Sequence, residues 1–338
     1  MRPIEPLETR RLLTAFTASS VAELIGDINA ANAAGGENTI TLAPGASFKL
    51  DALAGTEAFG GPVGLPVIAS GNDLAIVGNG DTVQRSTGRS TESFRLLAVA
   101  PGASLSLSHL TLSHGLADFP GSPDGGAVRN DGTLNLTDVT LQNCTAEGRF
   151  GVPAFGGAIY SSGALTVVDS SIQNNAALGS NGPDGDTFNP PRAGASALGG
   201  GVYVARGTAT VTNSTIYSNL ARGGDGANGL KRFNAFIGTF WVPGGNGGDA
   251  LGGGICAAGG TVTLRGNTIT HNVAQRGVAG NNSNRAFVQP VDGTGRGGGI
   301  YIAEGASAGV DSFTQENTKS NTASTSDDDI FGTFTILD

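Results

Sequence analysis

Leu134-Asn135-Leu136-Thr137-Asp138-Val139-Thr140-Leu141-Gln142-Asn143-Cys144-Thr145-Ala146 carries aliphatics at offsets 0, 2, 5 and 7 from its first residue. Offsets 0 and 2 have the two-residue period of a strand, as do 5 and 7, and the three-residue step between them is a corner that re-aims the chain. Four further stretches, 105–117, 165–177, 209–221 and 262–274, align with this one without gaps. The first two columns read Leu105/Leu134/Leu165/Ala209/Val262 and Leu107/Leu136/Val167/Val211/Leu264. The fourth reads Leu112/Leu141/Ile172/Ile216/Ile269, whereas the third, Leu110/Val139/Ser170/Ser214/Asn267, turns polar toward the C-terminus.

A third strand precedes each pair, opened by Gly-Gly and an inward aliphatic at Val128, Ile159, Val202, Ile255 and Ile300. Three short parallel strands in a unit of about 22 residues cannot bury an apolar face alone, and stacked neighbours can. The expected fold is therefore all-β, a right-handed parallel β-helix with three short strands per rung. The Asn-x-Ala endings should stack Asn175, Asn219 and Asn272 at one corner, with amides bonded to neighbouring rungs and backbone in the left-handed region. The Gly-Gly-Ala/Gly-Ile/Val start and the Asn-x-Ala ending resemble the GGA[I/L]…N repeats of polymorphic outer-membrane proteins and related pectin-lyase-like families. The resemblance covers residues 94–323 and implies the fold. These families include both enzymes and adhesins, so it leaves the task open.

The ends read differently. Ser20-Val21-Ala22-Glu23 is a capping box, and Val21, Leu24, Ile25 and Ile28 recur at helical spacing, predicting a capping helix over 19–34. Weaker strands at 40–50, 67–77 and 94–99 predict additional N-terminal coils. The last repeat lands on Ala308, Val310, Phe313 and Gln315 and breaks the pattern, as terminal repeats do. Residues 324–338 are expected to cap that end, with Asp327, Asp328 and Asp329 in an acidic turn that blunts an edge. Residues 19–338 thus form one domain behind a segment 1–18. Within that segment Leu7-Glu8-Thr9-Arg10-Arg11-Leu12-Leu13 resembles the LEPR-XLL motif of planctomycete surface and secreted proteins, departing from it at Thr9. The resemblance implies export to an extracellular or cell-surface location.

Glycine supplies 56 of 338 residues and charged side chains 14%, unlike a coiled coil or a charge-rich disordered chain. Lys+Arg 19 against Asp+Glu 28 gives a net charge of −9. Lysine occurs only at Lys49, Lys231 and Lys319, so no basic patch neutralises phosphates and nucleic acid is not an expected partner. No apolar run reaches the roughly 18 residues of a membrane span. Cys144 and Cys256 fall three rungs apart, about 14 Å at the ~4.8 Å strand spacing, beyond the reach of a disulfide. They read as two free structural thiols.

Between each Ala ending and the next Gly-Gly lie insertions, at 118–124, 147–155, 178–198, 222–251 and 275–296, which leave the stack at one corner and form a lateral surface. They carry Phe150, Phe155, Phe188, Phe233, Phe236, Phe240, Trp241 and Phe287. The densest aromatic segment makes Arg232, Phe233, Asn234, Phe236, Phe240 and Trp241 the candidate ligand-binding residues, with rings for a sugar or protein partner and Arg232 and Asn234 for polar contacts. The competing role for these rings is a satellite core over neighbouring loops.

At offset 4 successive rungs place His109, Asp138, Asp169, Asn213 and Gly266. Asp138 and Asp169 should lie roughly 5 Å apart, near the spacing of a retaining glycosidase pair, with His109 beside them. The same residue types tolerate a left-handed corner, a purely structural role. The Gly-His-Gly and Arg-Ile-Lys motifs of polygalacturonase-like members are lacking, so no catalytic assignment transfers. Asp184, Asp186, Asp225, Asp249 and Asp292 could offer oxygens to Ca²⁺, although no nonapeptide repeat spaces them; no other cofactor is expected. Gly224-Asp225-Gly226-Ala227-Asn228-Gly229 fits G-x-G-x-x-G without the strand and helix that a dinucleotide site needs. The leading expectation is a non-enzymatic surface or adhesin-like module for carbohydrate or a protein partner. A polysaccharide lyase or glycoside hydrolase, and a purely structural envelope component, are the alternatives.

Overall fold

The aliphatic columns become parallel ladders. A computed structural model describes residues 14–56, 61–121, 123–186, 189–234, 238–282 and 288–338. In it Leu134 pairs with Leu105 on one side and Leu165 on the other, and Leu165, Ala209 and Val262 continue the same row. Leu136, Val167, Val211 and Leu264 are all 1% exposed or less. The chain is mostly strand, with long parallel sheets of the kind found in a β-helix or solenoid.

The largest sheet runs from Thr14–Ala18 through Gly36–Leu42, Asn72–Val77, Ser104–Ser113 and Thr133–Gln142 to Ser307–Asp311 and Thr335–Leu337. A second begins with Leu97–Val99 and Val128–Asn130 and continues to Ile330–Phe331, burying Val128, Ile159, Val202, Ile255 and Ile300. Thr14–Ala18, which the sequence places in the export segment, pairs in register with Gly36–Leu42, and Ala18 is fully buried. Residues 1–13, which hold the whole stretch Leu7–Leu13 that resembles an export motif, lie outside the described residues.

The sequence predicts three strands per repeat, and the sheets contain more rows than that. The Asn-x-Ala ending is itself a strand, pairing Leu116–Ala117, Thr145–Glu147, Ala176–Leu178, Leu220–Arg222, Val273–Gln275 and Thr322–Ala323. A further row of dipeptides, Ala154–Phe155, Ala197–Leu198, Ala250–Leu251 and Gly295–Arg296, precedes the Gly-Gly bends. Side chains of two residues with 3.3 Å rise leave room for little else, and these rows pack alanine on alanine.

The polar third column explains where strands break. Ser104–Ser113 and Thr133–Gln142 run through the corner unbroken, whereas Ala164–Val168 and Ser171–Gln173 are separate. From Val139 onward the corner N–H finds a side chain of the next repeat instead of a carbonyl. Val139 donates to Ser170 Oγ (3.0 Å), Ser170 to Ser214 Oγ (3.1 Å), Ser214 to Asn267 Oδ1 (3.0 Å) and Asn267 to Thr314 Oγ1 (2.9 Å). Each buried polar side chain is thus paired, which removes the cost of placing it inside.

Two helices occur among the described residues. Val21–Ala34 is N-capped by Ser20, whose side chain accepts from Glu23 N, and it buries Leu24, Ile28 and Ala31 against the first strands. Ser312–Glu316 is a short turn that the sequence does not anticipate. It accounts for the broken last repeat. Phe313 is 51% exposed, Thr314 takes the third-column place and Thr318 pairs with Ile269 in the fourth. The main core is a cluster of buried apolar residues from Ala18 to Val310, mostly aliphatic with Phe48 and Phe94, between the sheets.

The candidate face built by the insertions

The insertions leave the stack as packed stems. Ala146, Ala177, Ala221 and Ala274 meet Ala154, Ala197 and Ala250 in a second buried cluster made only of alanine. Beyond it the outgoing segments lie side by side. Gly179 donates to Arg222 O (2.8 Å), Gly182 to Asp225 O (2.7 Å), Gly226 to Val278 O (2.8 Å) and Gly229 to Asn281 O (2.7 Å). Returning segments join them, with Gly224 donating to Ala195 O, Gly248 to Gly224 O and Gly277 to Gly248 O, each at 2.8 Å. Glycines recur every third residue at 179, 182 and 185 and at 223, 226 and 229, the repeat of a polyproline-II-type chain. A Cβ on Gly224 would sit 1.9 Å from Ser180 O, so only glycine permits this backbone-on-backbone packing. The G-x-G-x-x-G match is therefore stem.

The acidic candidates for Ca²⁺ serve the same stems. Asp225 accepts from Val278 N (2.9 Å), and Asp249 from Thr294 N (2.7 Å) and Thr294 Oγ1 (2.9 Å). Asp292 accepts from Ala279 N and Arg276 Nη2, which together hold its carboxyl below the usual range. Asp186 accepts from Asn189 N, and Asp184 is exposed. Among the described residues no three His, Cys, Asp or Glu side chains form a group that could hold a metal.

The longest insertion ends in an antiparallel hairpin, Leu230–Asn234 with Gly238–Val242. Lys231 lies opposite Trp241, Arg232 opposite Phe240 and Phe233 opposite Thr239. Opposite residues share a face and neighbours alternate, so Phe233 and Trp241 stand on one face and Arg232 and Phe240 on the other. Arg232 Nη2 donates to the carbonyls of Asp186 and Asn189, anchoring its face to the neighbouring insertion. On the other, Phe233 is 77% exposed, and Trp241 is half-buried beneath Lys231 Nζ, 5.6 Å from the ring centroid. Four of the six candidates are thus placed by side chain. Asn234 pairs through its backbone with Gly238, and Phe236 lies outside the described residues, as do Phe188 and Phe287.

The corner column is brought together only in part. His109, Asp138, Asp169, Asn213 and Gly266 all have positive φ, between 50° and 66°, so the structural role expected of these residue types is present. His109 Nε2 stands 3.7 Å from Asp138 Oδ2, with both side chains exposed by 60% or more. With Asn79, Thr111 and Thr140 they line a cavity of about 430 Å³. Asp169 is exposed on the next repeat and does not line it.

The asparagine ladder forms, with one correction. Asn175, Asn219, Asn272 and Asn321 each place Nδ2 on a carbonyl of the preceding repeat, at Leu141, Ile172, Ile216 and Ile269. Each Oδ1 from Asn219 onward accepts the backbone N–H of the preceding asparagine. The left-handed backbone belongs to the residue before, at Asn174, Ser218 and His271. That residue makes the turn, and the asparagine that follows is aimed inward by it.

Cys144 and Cys256 are free and fully buried. Burial pushes the Cys144 thiol up to about 12 and raises that of Cys256 as well, so neither offers a thiolate.

Several features have no signal in the sequence. Arg95 is fully buried, its Nε donating to Asp124 O (3.1 Å) and its guanidinium 4.9 Å from the Phe119 ring. Arg129 bridges Asp124 (3.0 Å) and Asp131 (2.7 Å). A second cavity of about 430 Å³ opens where the insertions leave the stack, lined by Glu147, Arg149, Phe150 and Arg222. Comparison with protein-family models, with curated proteins and with solved structures gives no match to this chain.

Proposed function

We propose that the protein is an exported right-handed parallel β-helix, non-enzymatic, whose stacked insertions form a recognition face for carbohydrate. The observation that carries this is the hairpin. Phe233 and Trp241 share one face while Arg232 fastens the other to carbonyls of the neighbouring insertion. An aromatic displayed on a braced ribbon loses little entropy on binding, and its flat C–H-attracting face suits a pyranose ring. Glycine-packed stems support the same reading, because they hold the hairpin at a fixed height above the stack. The export motif and the repeat resemblance support the location and the closed helix.

The enzymatic alternative draws on the His109–Asp138 cavity. A hydrolase needs a second carboxylate across the scissile bond, and Asp169 lies outside that cavity.

Purified protein screened against a polysaccharide panel, for binding and for release of reducing or unsaturated ends, tests the proposal. Binding without release is expected, with Phe233→Ala weakening it about tenfold while the melting temperature stays. Release of ends by the wild type, or full affinity in Phe233→Ala, overturns it.

A further inference from the structure

The cavity at the root of the insertions shares no residue with the hairpin. It holds about 430 Å³, with Glu147, Arg149, Phe150, Leu178 and Arg222 in its wall. Parallel register sets Glu147, Leu178 and Arg222 side by side on consecutive repeats. Half-buried Leu178 is therefore a floor, with a carboxylate and a guanidinium at its two ends, roughly 10 Å apart at two strand spacings.

Phe150 forms the rim. Its φ is +56°, a region in which a bulky side chain is strained. Two bonds hold it there, Val152 N to Arg149 O (3.1 Å) and Gly151 N to Ser180 Oγ (2.9 Å). Constrained in this turn, the ring is 77% exposed at the cavity mouth rather than packed.

Charge distinguishes the two ends. Arg149 gives both arms of its guanidinium to Asp118. Among the described residues the Glu147 carboxylate accepts no hydrogen bond, and burial, then the charge of Asp118, raise it above the ordinary carboxyl range against the pull of Arg149. Two carboxylates thus face one guanidinium at this end. Arg222 lies 3.5 Å from Asp225 at the other.

We propose that this cavity binds an amino sugar, its ring on Phe150 and Leu178, its ammonium on Glu147 and its hydroxyls toward Arg222. A pyranose offers an apolar C–H face to the aromatic rim and hydroxyls at its edge. The ammonium supplies the hydrogen-bonded cation that Glu147 lacks, in a charge-assisted bond. An acidic sugar sets its carboxylate against Glu147, and a neutral hexose leaves Glu147 without a hydrogen-bonded cation. The inference assigns carbohydrate to the same face as the proposed function but uses other residues, so each can fail alone.

Titration calorimetry in physiological salt with β-1,4-linked diglucosamine, its N-acetylated counterpart and cellobiose tests it. Diglucosamine should bind, and the other two should bind at least about tenfold more weakly. Glu147→Gln and Phe150→Ala should each cost about tenfold with unchanged melting temperature, in the wild type and equally in a Phe233→Ala background that removes the hairpin's contribution. Asp73→Asn, on the strand Asn72–Val77 and outside this cavity, controls for attraction of a cation to an acidic protein and should bind like wild type. No binding of diglucosamine, equal binding of cellobiose, undiminished affinity in Glu147→Gln, or an equal loss in Asp73→Asn overturns the proposal.

Discussion

Asn219 shows how much one side chain can carry in a stack. Its Nδ2 donates to Ile172 O (2.8 Å) and to Asn272 Oδ1 (2.9 Å), while its Oδ1 accepts from Asn175 N and Nδ2 (both 3.0 Å). With the residue fully buried, no water replaces those partners, and Asn219→Ala leaves both a donor and an acceptor unpaired. We expect a loss of about 2–4 kcal/mol in chemical denaturation, and a midpoint equal to wild type would refute the ladder. Asp311, partly buried, carries charge at the N-cap of Ser312–Glu316. Burial opposes its ionisation, but bonds from Thr314 N (2.8 Å) and Gly266 N (2.9 Å) outweigh it and hold the carboxyl below its usual value. A depressed carboxyl contributes stability that is present above its unfolded value, about 3.9, and is lost as pH falls through the lower folded value. Asp311→Asn should therefore flatten the melting-temperature profile below about pH 4, and a profile that overlays wild type there would show that the cap contributes nothing.

At the scale of the element, the strand Thr133–Gln142 is held by its inward aliphatics. Leu136 is fully buried between Leu107 and Val167 on the flanking strands. Leu136→Asp puts an uncompensated carboxylate in the middle of a ladder, at a cost of about 4 kcal/mol or more. The expected outcome is a protein without a cooperative melt, or with a transition lowered by many degrees; a wild-type melt would mean that the register is wrong. The strand's period was legible in the sequence because stacking repeats the same burial five times, which averages out local noise. The helical turn Ser312–Glu316 was not. Five residues carry too little periodicity, and it exists because Asp311 caps it and Thr314 meets Asn267 across the repeat.

For the molecule as a whole, the two parts of the structure are built by different rules. Apolar burial holds the stack, whereas backbone hydrogen bonds between glycine segments hold the insertions, and the two should respond separately to damage. Gly224→Ala forces a methyl against Ser180 O and should raise amide exchange across 179–195 and 223–248 while strands such as Thr133–Gln142 stay protected; uniform protection, or global unfolding, would contradict the division. By itself the sequence determined the parallel stacking, the register of its four columns and the left-handed corner at His109, Asp138 and Asp169, because each follows from a local pattern repeated along the chain, and also the capping helix, from its capping box and helical spacing, and the free state of both cysteines, from their separation along the stack. Contacts between segments far apart in sequence decided the rest. They turned the glycine-rich insertions into stems, made Asp225, Asp249 and Asp292 backbone acceptors, divided the hairpin into an anchored face and a displayed one, and gathered Glu147, Arg149, Phe150 and Arg222 around a single cavity. None of these groupings has a period or a motif, since each arises only when neighbouring repeats bring the ends of unrelated insertions within hydrogen-bonding distance.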